Sequence, residues 1–222
     1  MQWQWRVLTV SLTGLIGFVS TAQAHVSFLK DTNAYEGKSY VATLQIPHGC
    51  THAVNGDHSD TVKVEVSIPD NFLNVKPADS VFGAATITRD ASDRVTHITW
   101  TKSQAAEEDY LYNQVVFRGT PALGAAFSSL EFVTVQTCES GDTVAWEGST
   151  VPKLKVYPAR ALGWNTYTAS SNLDVTALRT YFSDAYIVWY NDAAYSANAV
   201  TNGLINTPLT DIPAGGEFWV KY

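Results

Sequence analysis

The residue whose type and position could do the most distinctive chemistry is His25, because a cleavage signal directly precedes it. Ala22-Gln23-Ala24 has the small-x-small pattern that signal peptidase needs. Cleavage after Ala24 would give a mature chain whose first residue offers a free amine and an imidazole to one metal ion, in a closed chelate ring. A metal can displace the proton of such an amine around neutral pH. Two nitrogens in one plane suit copper(II), which also leads the divalent affinity order. The terminus alone leaves open that a histidine follows the cleavage site by chance.

Residues 1–24 are predicted to be a signal peptide. Arg6 is their only charged residue, and residues 7–19 form a short, mostly apolar run. The run is short and rich in Thr, Ser and Gly for a membrane span, so an uncleaved anchor is the less favoured alternative. We therefore expect an exported protein, in the periplasm or outside the cell, whose mature chain does not span a membrane.

The expected mature chain is acidic. Removing residues 1–24 from the 222-residue chain removes one of its 14 basic residues and none of its 21 acidic ones, which leaves 198 residues and a net charge of −8. This balance argues against binding to nucleic acid or to anionic membrane surfaces. The length suits one domain with a smaller appendage.

The chain has two cysteines, Cys50 and Cys138. An even count in an exported chain favours a disulfide, and closing so long a loop would contribute on the order of 4–5 kcal/mol. Two free thiols that bind copper(I) are the alternative. The only methionine is Met1, so a copper(I) site would have few soft ligands.

Alternating apolar and polar residues predict short β-strands up to about residue 157. The clearest is 61–68, in which Val62, Val64, Val66 and Ile68 share one face. Clusters of Gly, Pro, Asp and Asn separate the strands, and this spacing is typical of an antiparallel β-sandwich. The predicted strands are 39–46, 61–68, 96–100, 112–118, 130–136 and 143–146.

The pattern changes after Pro158. Residues 173–182 predict a short amphipathic helix with Asp174 near its start, and residues 185–190 and 217–222 predict strands. Alternation in the last strand buries Phe218 and Val220 and makes Trp219 the aromatic residue most exposed to solvent or to the sandwich. Residues 158–222 are therefore predicted to be an aromatic-rich α+β appendage to a domain of residues 25–157.

Three histidines, His48, His52 and His58, lie close together around Cys50. The His48-x-x-x-His52 spacing puts both rings on one face only in a helix, and Pro47 and the nearby glycines predict a loop instead. A second metal site in this loop remains an alternative to a structural role. His97 lies in a predicted strand, where a surface or cross-strand role is favoured over metal binding.

Several segments, in order, resemble YcnI-like copper-binding domains over residues 25–157. The run that ends in Pro-His-Gly-Cys, followed by Phe-Arg-Gly and Val-Gln-Thr-Cys, is the most specific part of the resemblance. The matching segments are His25-Val26-Ser27, 34–40 (AYEGKSY), 44–50 (LQIPHGC), 62–69, 97–100 (HITW), 112–119 (YNQVVFRG) and 135–138 (VQTC), followed by Trp146.

The resemblance implies an exported, immunoglobulin-like antiparallel β-sandwich that binds one copper(II) ion. By the resemblance, the amine and imidazole of His25 chelate the metal and Trp146 is the indole beside it. An indole has no accessible lone pair, so Trp146 would shield the ion or make a weak axial contact. The resemblance also favours a structural hydrogen bond for His48 beside the disulfide.

The chain departs from the family at the third ligand. The family pattern has a glutamate where this chain has Gln114, within Tyr112-Asn113-Gln114-Val115. An amide oxygen can coordinate copper(II), but it carries no charge and is a weaker donor. Water or a nearby acid can replace it, and the candidate acids are Glu107, Glu108, Asp109 and Glu131.

We therefore predict an exported copper(II)-binding protein that handles copper in the cell envelope and is not an enzyme. An envelope copper-transport protein is a candidate partner.

One alternative is a copper-dependent enzyme that oxidises polysaccharide, which would need a second histidine from His48, His52, His58 or His97. The other is an adhesive or carbohydrate-binding module that uses exposed aromatics of the appendage, although a small subdomain also needs large aromatics for its core. Those aromatics are Trp164, Trp189, Tyr190, Tyr195, Phe218 and Trp219.

Overall fold

The structure, a computed structural model, describes residues 25–29, 33–51, 56–80, 83–102 and 112–222. The predicted signal peptide lies outside these ranges. A short 3-10 turn occupies Gly148–Thr150. The strands up to residue 157 are β1 (Ser27–Phe28), β2 (Ala34–Tyr35), β3 (Tyr40–Ile46), β4 (Cys50–Thr51), β5 (His58–Ser59), β6 (Thr61–Ser67), β7 (Phe72–Pro77), β8 (Ala85–Arg89), β9 (Val95–Thr101), β10 (Asn113–Pro121), β11 (Ser129–Glu131), β12 (Thr134–Cys138), β13 (Thr143–Trp146) and β14 (Lys153–Tyr157).

Two sheets form the body of this part of the chain. One has the order β1-β3-β10-β7 and the other β13-β12-β6-β9-β8, and each is antiparallel. A third sheet, β11-β14-β2, includes a parallel pair between β2 and β14. The predicted fold class, a mainly β, immunoglobulin-like antiparallel sandwich, is confirmed.

The core of the sandwich lies between the two main sheets. Leu44 on β3 and Phe117 on β10 face Val66 on β6 and Trp100 on β9 in one buried cluster. The predicted face of β6 is confirmed, since Val64, Val66 and Ile68 are buried and Val62 is half-buried. The alternation of apolar and polar residues along β6 therefore predicted its buried face correctly.

One predicted strand is wrong in extent. Residues 130–136 are two strands, β11 and β12, which pair with different sheets. The chain changes sheet at Phe132 and Val133, where Phe132 N donates to Pro152 O (3.0 Å) and Val133 O accepts from Ser67 N (2.8 Å). Alternation continues across the break, with Leu130, Phe132 and Thr134 buried, so the pattern could not reveal it.

The appendage contains a four-stranded sheet of order β15-β20-β17-β18 and a two-stranded ladder of β16 and β19. Its helix α1 begins where expected, because Asp174 caps it: Asp174 Oδ1 accepts from Ala177 N at 2.8 Å. Its elements are β15 (Trp164–Thr168), β16 (Leu173–Asp174), α1 (Val175–Tyr181), β17 (Ile187–Tyr190), β18 (Ala193–Tyr195), α2 (Ala199–Gly203), β19 (Asp211–Ile212) and β20 (Glu217–Lys221).

The appendage has its own core, which two residues of the sandwich, Ala126 and Phe127, enter. Phe127, between β10 and β11, contacts the rings of Phe182 and Phe218, each at a centroid distance of 5.9 Å. Phe218 and Val220 are fully buried and Trp219 is 40% exposed, so the predicted alternation of β20 is confirmed. Burial raises the pKa of the nearby Tyr167, which stays a neutral donor to Ala159 O at 2.9 Å.

Cys50 and Cys138 form the predicted disulfide, which joins β4 to the end of β12 across 88 residues of sequence. A buried ion pair lies beside it, between Lys102 Nζ and Asp60 Oδ2 at 2.7 Å. Asp60 also bonds the residue that follows Cys138, because its carbonyl oxygen accepts from Glu139 N at 3.0 Å. These contacts fix one end of the five-stranded sheet.

Across the described ranges, no helix is both long enough and apolar enough to cross a membrane.

We predict that Gly119→Ala destabilises the sandwich. A Cβ at this position would overlap the Phe72 ring, with Cζ only 2.7 Å away, and Phe72 is fully buried against Phe117 and Phe132. We expect a loss of about 1–3 kcal/mol in the free energy of unfolding, measured by urea denaturation. Gly203→Ala is the matched control, because a Cβ there meets nothing within 4 Å. Equal stability of the two variants would contradict this packing argument.

Candidate metal centre

His25 lies two residues before the start of β1, at the edge of the four-stranded sheet. Val26 and Phe28 are buried, while His25 and Ser27 are exposed. The register pairs Ser27 with Gln45 of β3. Strand alternation therefore keeps His25 at the surface while its neighbours anchor the segment in the core.

The imidazole of His25 contacts the indole of Trp146 edge-on, with ring centroids 5.2 Å apart and planes at 85°. Trp146 ends β13 and is only 5% exposed. The contact restricts the rotation of the imidazole and covers one side of it with an apolar ring. The structure thus brings together two of the three predicted metal-site residues.

The polar atom of Trp146 is already used. Its Nε1 donates to Gln136 Oε1, so the indole offers only its carbon framework to whatever occupies the space beside His25. A shielding or positioning role is the one that this geometry allows.

Gln136 is a fully buried amide at the end of the sandwich that contains Trp146 and the disulfide. Besides accepting from Trp146, it donates through Nε2 to His48 O (2.9 Å) and to Thr61 Oγ1 (3.0 Å). Thr61 Oγ1 in turn lies 3.9 Å from Cys138 Sγ. Gln136 therefore links the disulfide region to the indole that contacts His25.

Gln114, the predicted third ligand, is on β10. It is half-buried and lies opposite Gln45, which itself lies opposite Ser27. The register therefore separates Gln114 from β1 by two strand spacings, about 9.6 Å. Among the described residues, no hydrogen bond or ring contact joins Gln114 to His25. His25 precedes Ser27 by two residues, which adds a displacement along the strand to this separation.

The amide of Gln114 is held by Tyr112. Gln114 Nε2 donates to Tyr112 Oη at 2.6 Å, and Gln45 Nε2 donates to the same oxygen at 2.7 Å. Both bonds use amide nitrogens, so Oε1 of Gln114 is the atom that could accept a metal. Tyr112 is 53% exposed, so this row of polar groups is open to solvent.

The other histidines have different surroundings. His48 is half-buried and its Nδ1 lies 2.6 Å from Gly49 O, while His58 is exposed on β5. His97 Nδ1 bonds Thr96 Oγ1 at 3.1 Å. His52 lies outside the described residues. Within the described ranges, no group of three or more His, Cys, Asp or Glu side chains could hold a metal.

Of the four candidate acids, Glu131 is the one within the described residues. Glu131 accepts from Lys153 Nζ at 2.7 Å on β11 and β14. Glu107, Glu108 and Asp109 lie outside the described residues. Among the described residues, a metal at His25 would have the imidazole, the amine that cleavage after Ala24 would free, and Gln114 or water as ligands.

A groove of about 560 Å³ opens beside His25. It runs between β1 and β14, and Tyr40, Val151 and Tyr157 contribute to its lining. Small molecules or a partner's side chain could therefore approach His25 from this side.

Sequence reasoning missed Gln136 and Tyr112 as parts of the site. A weak signal for Gln136 was present, because it shares the buried face of β12 with Cys138. An amide at an inward position needs buried partners. Tyr112 gave no such signal, since an exposed tyrosine at a strand end is ordinary.

The described residues define an immunoglobulin-like β-sandwich, in which His25 lies against a buried tryptophan, and a smaller α+β appendage. The sequence matches a family model described as a domain of unknown function, DUF1775, over residues 25–163, and the chain belongs to this family. YcnI-like proteins are the DUF1775 family, so the predicted resemblance is confirmed. No curated protein matches the chain.

Solved structures give weaker likenesses. An uncharacterized Nocardia farcinica protein with an immunoglobulin-like fold is 21% identical, covering 60% of this chain and 97% of its own, with a TM-score of 0.49. A cohesin module from a Clostridium perfringens family 33 glycoside hydrolase is 15% identical, covering 61% and 100%, with a TM-score of 0.35. The major pilin SpaD of Corynebacterium diphtheriae is 11% identical, covering 87% and 47%, also with a TM-score of 0.35.

We predict that Gln136→Leu destabilises the protein strongly. Leucine fills much of the same volume but leaves Trp146 Nε1, His48 O and the Thr61 hydroxyl without their partner in a buried setting. We expect a loss of about 2–4 kcal/mol in the free energy of unfolding, measured by denaturant titration. Gln45→Leu makes the same change where solvent can replace the lost bonds, and it should cost no more than about 0.5 kcal/mol. Similar losses in both variants would disprove the role of the buried amide.

Proposed function

We propose that the mature chain begins at His25 and binds one copper(II) ion through the amine and imidazole of that residue. The observation that carries the proposal is the contact between the exposed imidazole and the buried Trp146 indole, at 5.2 Å. A terminal histidine can bind copper on any flexible peptide, but here the flanking Val26 and Phe28 are buried. Anchoring lowers the entropy lost when the chelate forms.

The proposed chelate uses the donor set that copper(II) prefers. Amine and imidazole nitrogens of one residue occupy adjacent positions of a tetragonal plane. Trp146 would cover one side of that plane without coordinating, because its N–H is bonded to Gln136. The exposed groove beside His25 would leave another side open for water or for a transferring ligand.

Gln114 would make the site weaker than one with a carboxylate. Its amide oxygen is neutral, and its amide nitrogen is engaged by Tyr112. A site with two strong nitrogen donors and a weak third ligand releases its metal more easily. Such a site suits a protein that passes copper on, so we propose copper handling in the cell envelope, with an envelope copper-transport protein as a candidate partner.

An enzyme is the less supported alternative. The histidines in the described ranges other than His25 have their own surroundings: His48 beside Gly49 O, His97 beside Thr96, and His58 exposed on β5. The disulfide supports export, because such bonds persist in oxidising compartments. We therefore propose a periplasmic or extracellular carrier without catalytic turnover.

The first test is a titration of copper(II) into protein that begins at His25, followed by electron paramagnetic resonance. The companion sample carries one extra alanine before His25, which converts the free amine into an amide and leaves every side chain intact. We expect one equivalent of nitrogen-coordinated copper in the first sample and loss of that signal in the second. Equal binding by both samples would place the metal elsewhere, with the 48–58 loop as the next candidate. Peroxide release by the copper-loaded protein with ascorbate, at a rate above that of the same concentration of free copper(II), would contradict the carrier role.

The second test places a carboxylate at position 114, the proposed third ligand, where the family pattern has a glutamate. Gln114→Glu adds a negative charge near the proposed ion and should tighten copper(II) binding by about tenfold or more, measured by competition with a chelator of known affinity. Thr43→Glu is the matched control. Thr43 is two residues from Gln45 on β3 and lies on the same face of the sheet as Gln114, so it adds the same charge to that face at a different position. Equal tightening by both variants would indicate a general charge effect and would refute Gln114 as a ligand position.

A further inference from the structure

Three tryptophans form an exposed patch on the outer face of the appendage sheet. Trp164, Trp189 and Trp219 are 57%, 42% and 40% exposed, and together they line one shallow depression. Trp219 on β20 lies directly opposite Trp189 on β17, and Trp164 on β15 is on the diagonal, opposite Lys221. We call these three side chains the tryptophan face.

Folding of the appendage does not require these side chains on that face. The opposite face of the same strands supplies the core, where Phe218, Val220 and Val188 are fully buried. Single exposed apolar residues are common, but a contiguous group marks an interaction site. Among the ring contacts of the described residues, none joins two of the three indoles, so their ring faces are not used on one another.

Polar groups surround the tryptophan face. Thr166, Thr168, Glu217 and Lys221 have the same strand parity and are exposed. Lys221 Nζ lies 5.9 Å from the centre of the Trp164 ring and 5.7 Å from that of Tyr186. The tryptophan face is therefore flat and aromatic at its centre and has hydroxyl, carboxylate and ammonium groups at its margin.

We propose that the tryptophan face binds a polysaccharide of β-linked pyranose units. A pyranose ring has one face of C–H groups that packs on an aromatic ring, whose π face is electron-rich. Its hydroxyls point outward, where the groups around the tryptophan face can donate and accept hydrogen bonds. An open platform on a sheet suits an extended chain of sugars better than an enclosed small molecule.

The area and charge of the face argue against other occupants. The exposed parts of the three indoles amount to roughly 300 Å², well under the roughly 800 Å² per partner of a standard protein interface. Anionic lipid surfaces attract clusters of basic residues. Here Lys221 is accompanied by Glu217, and the whole chain has a net charge of −7.

The test begins with retention of the purified, full mature protein on insoluble cellulose, chitin and peptidoglycan. A soluble oligosaccharide of the retained polymer is then titrated while tryptophan fluorescence is recorded. We expect retention by at least one polymer and a fluorescence change that saturates. Binding should be unaffected by EDTA, which separates this proposal from the copper site. No retention by any of the three polymers would overturn the proposal, as would binding to anionic vesicles in their place.

Substitutions at Trp219 distinguish ring stacking from general apolar attraction. Trp219→Phe keeps a flat ring and should weaken binding only a few-fold, whereas Trp219→Leu keeps apolar character and should weaken it by about tenfold or more. Leu204→Ala, which removes an exposed apolar side chain elsewhere in the appendage, should bind like the unaltered protein. Thermal denaturation checks that each variant is folded. Unchanged binding by Trp219→Leu would refute the stacking site.

Discussion

The buried amide of Gln136 connects parts of the chain that are far apart in sequence. It joins β12 to the backbone of His48, to Thr61 on β6 and to Trp146 on β13. A fully satisfied polar network inside a core admits few alternative arrangements, because each displaced group would lose its partner. The orientation of the Trp146 indole, and with it the surface presented to His25, follows from this network.

The disulfide strengthens the same end of the sandwich. Cys50 is close in sequence to His48, whose carbonyl accepts from Gln136, and Cys138 Sγ lies 3.9 Å from Thr61 Oγ1. The covalent bond and the amide therefore restrain the same strands. Because β1 is only two residues long, its position depends on packing against the strands beneath it. Phe28 supplies the attachment, with its ring 5.0 Å from that of Phe132.

Local patterns predicted well the features that depend on one strand at a time. The buried valines of β6, the helix cap at Asp174 and the alternation of Phe218 and Trp219 all follow from side-chain periodicity or capping chemistry. The features that sequence reasoning missed depend on distant pairs. Gln136 has its partners 10, 75 and 88 residues away, and Lys102 pairs with Asp60 across 42 residues. The break between β11 and β12 was hidden because both strands keep the same alternation.

The arrangement of the two cores explains why the tryptophan face points outward. Phe127 enters the core of the appendage, and Tyr181 contacts Tyr157 of β14 at 5.3 Å. Arg160 adds bonds to Tyr35 of β2 and to Asp184 of the appendage. The inner face of the appendage is therefore occupied by its own core and by the sandwich. The aromatic residues at the outer strand positions, Trp164, Trp189 and Trp219, are therefore left exposed on the opposite face.

The proposed copper site would exist only after processing. Before cleavage, the nitrogen of His25 belongs to a peptide bond with Ala24 and has no basic lone pair to give to a metal. Cleavage would create the amine, and a disulfide such as the one that stiffens the neighbouring strands persists in an oxidising compartment. Both chemical events would therefore belong to the same side of the membrane. A chain that remained unprocessed would keep the contact between His25 and Trp146 but would lack the amine half of the chelate. The protein would therefore acquire its proposed copper(II) affinity only after export.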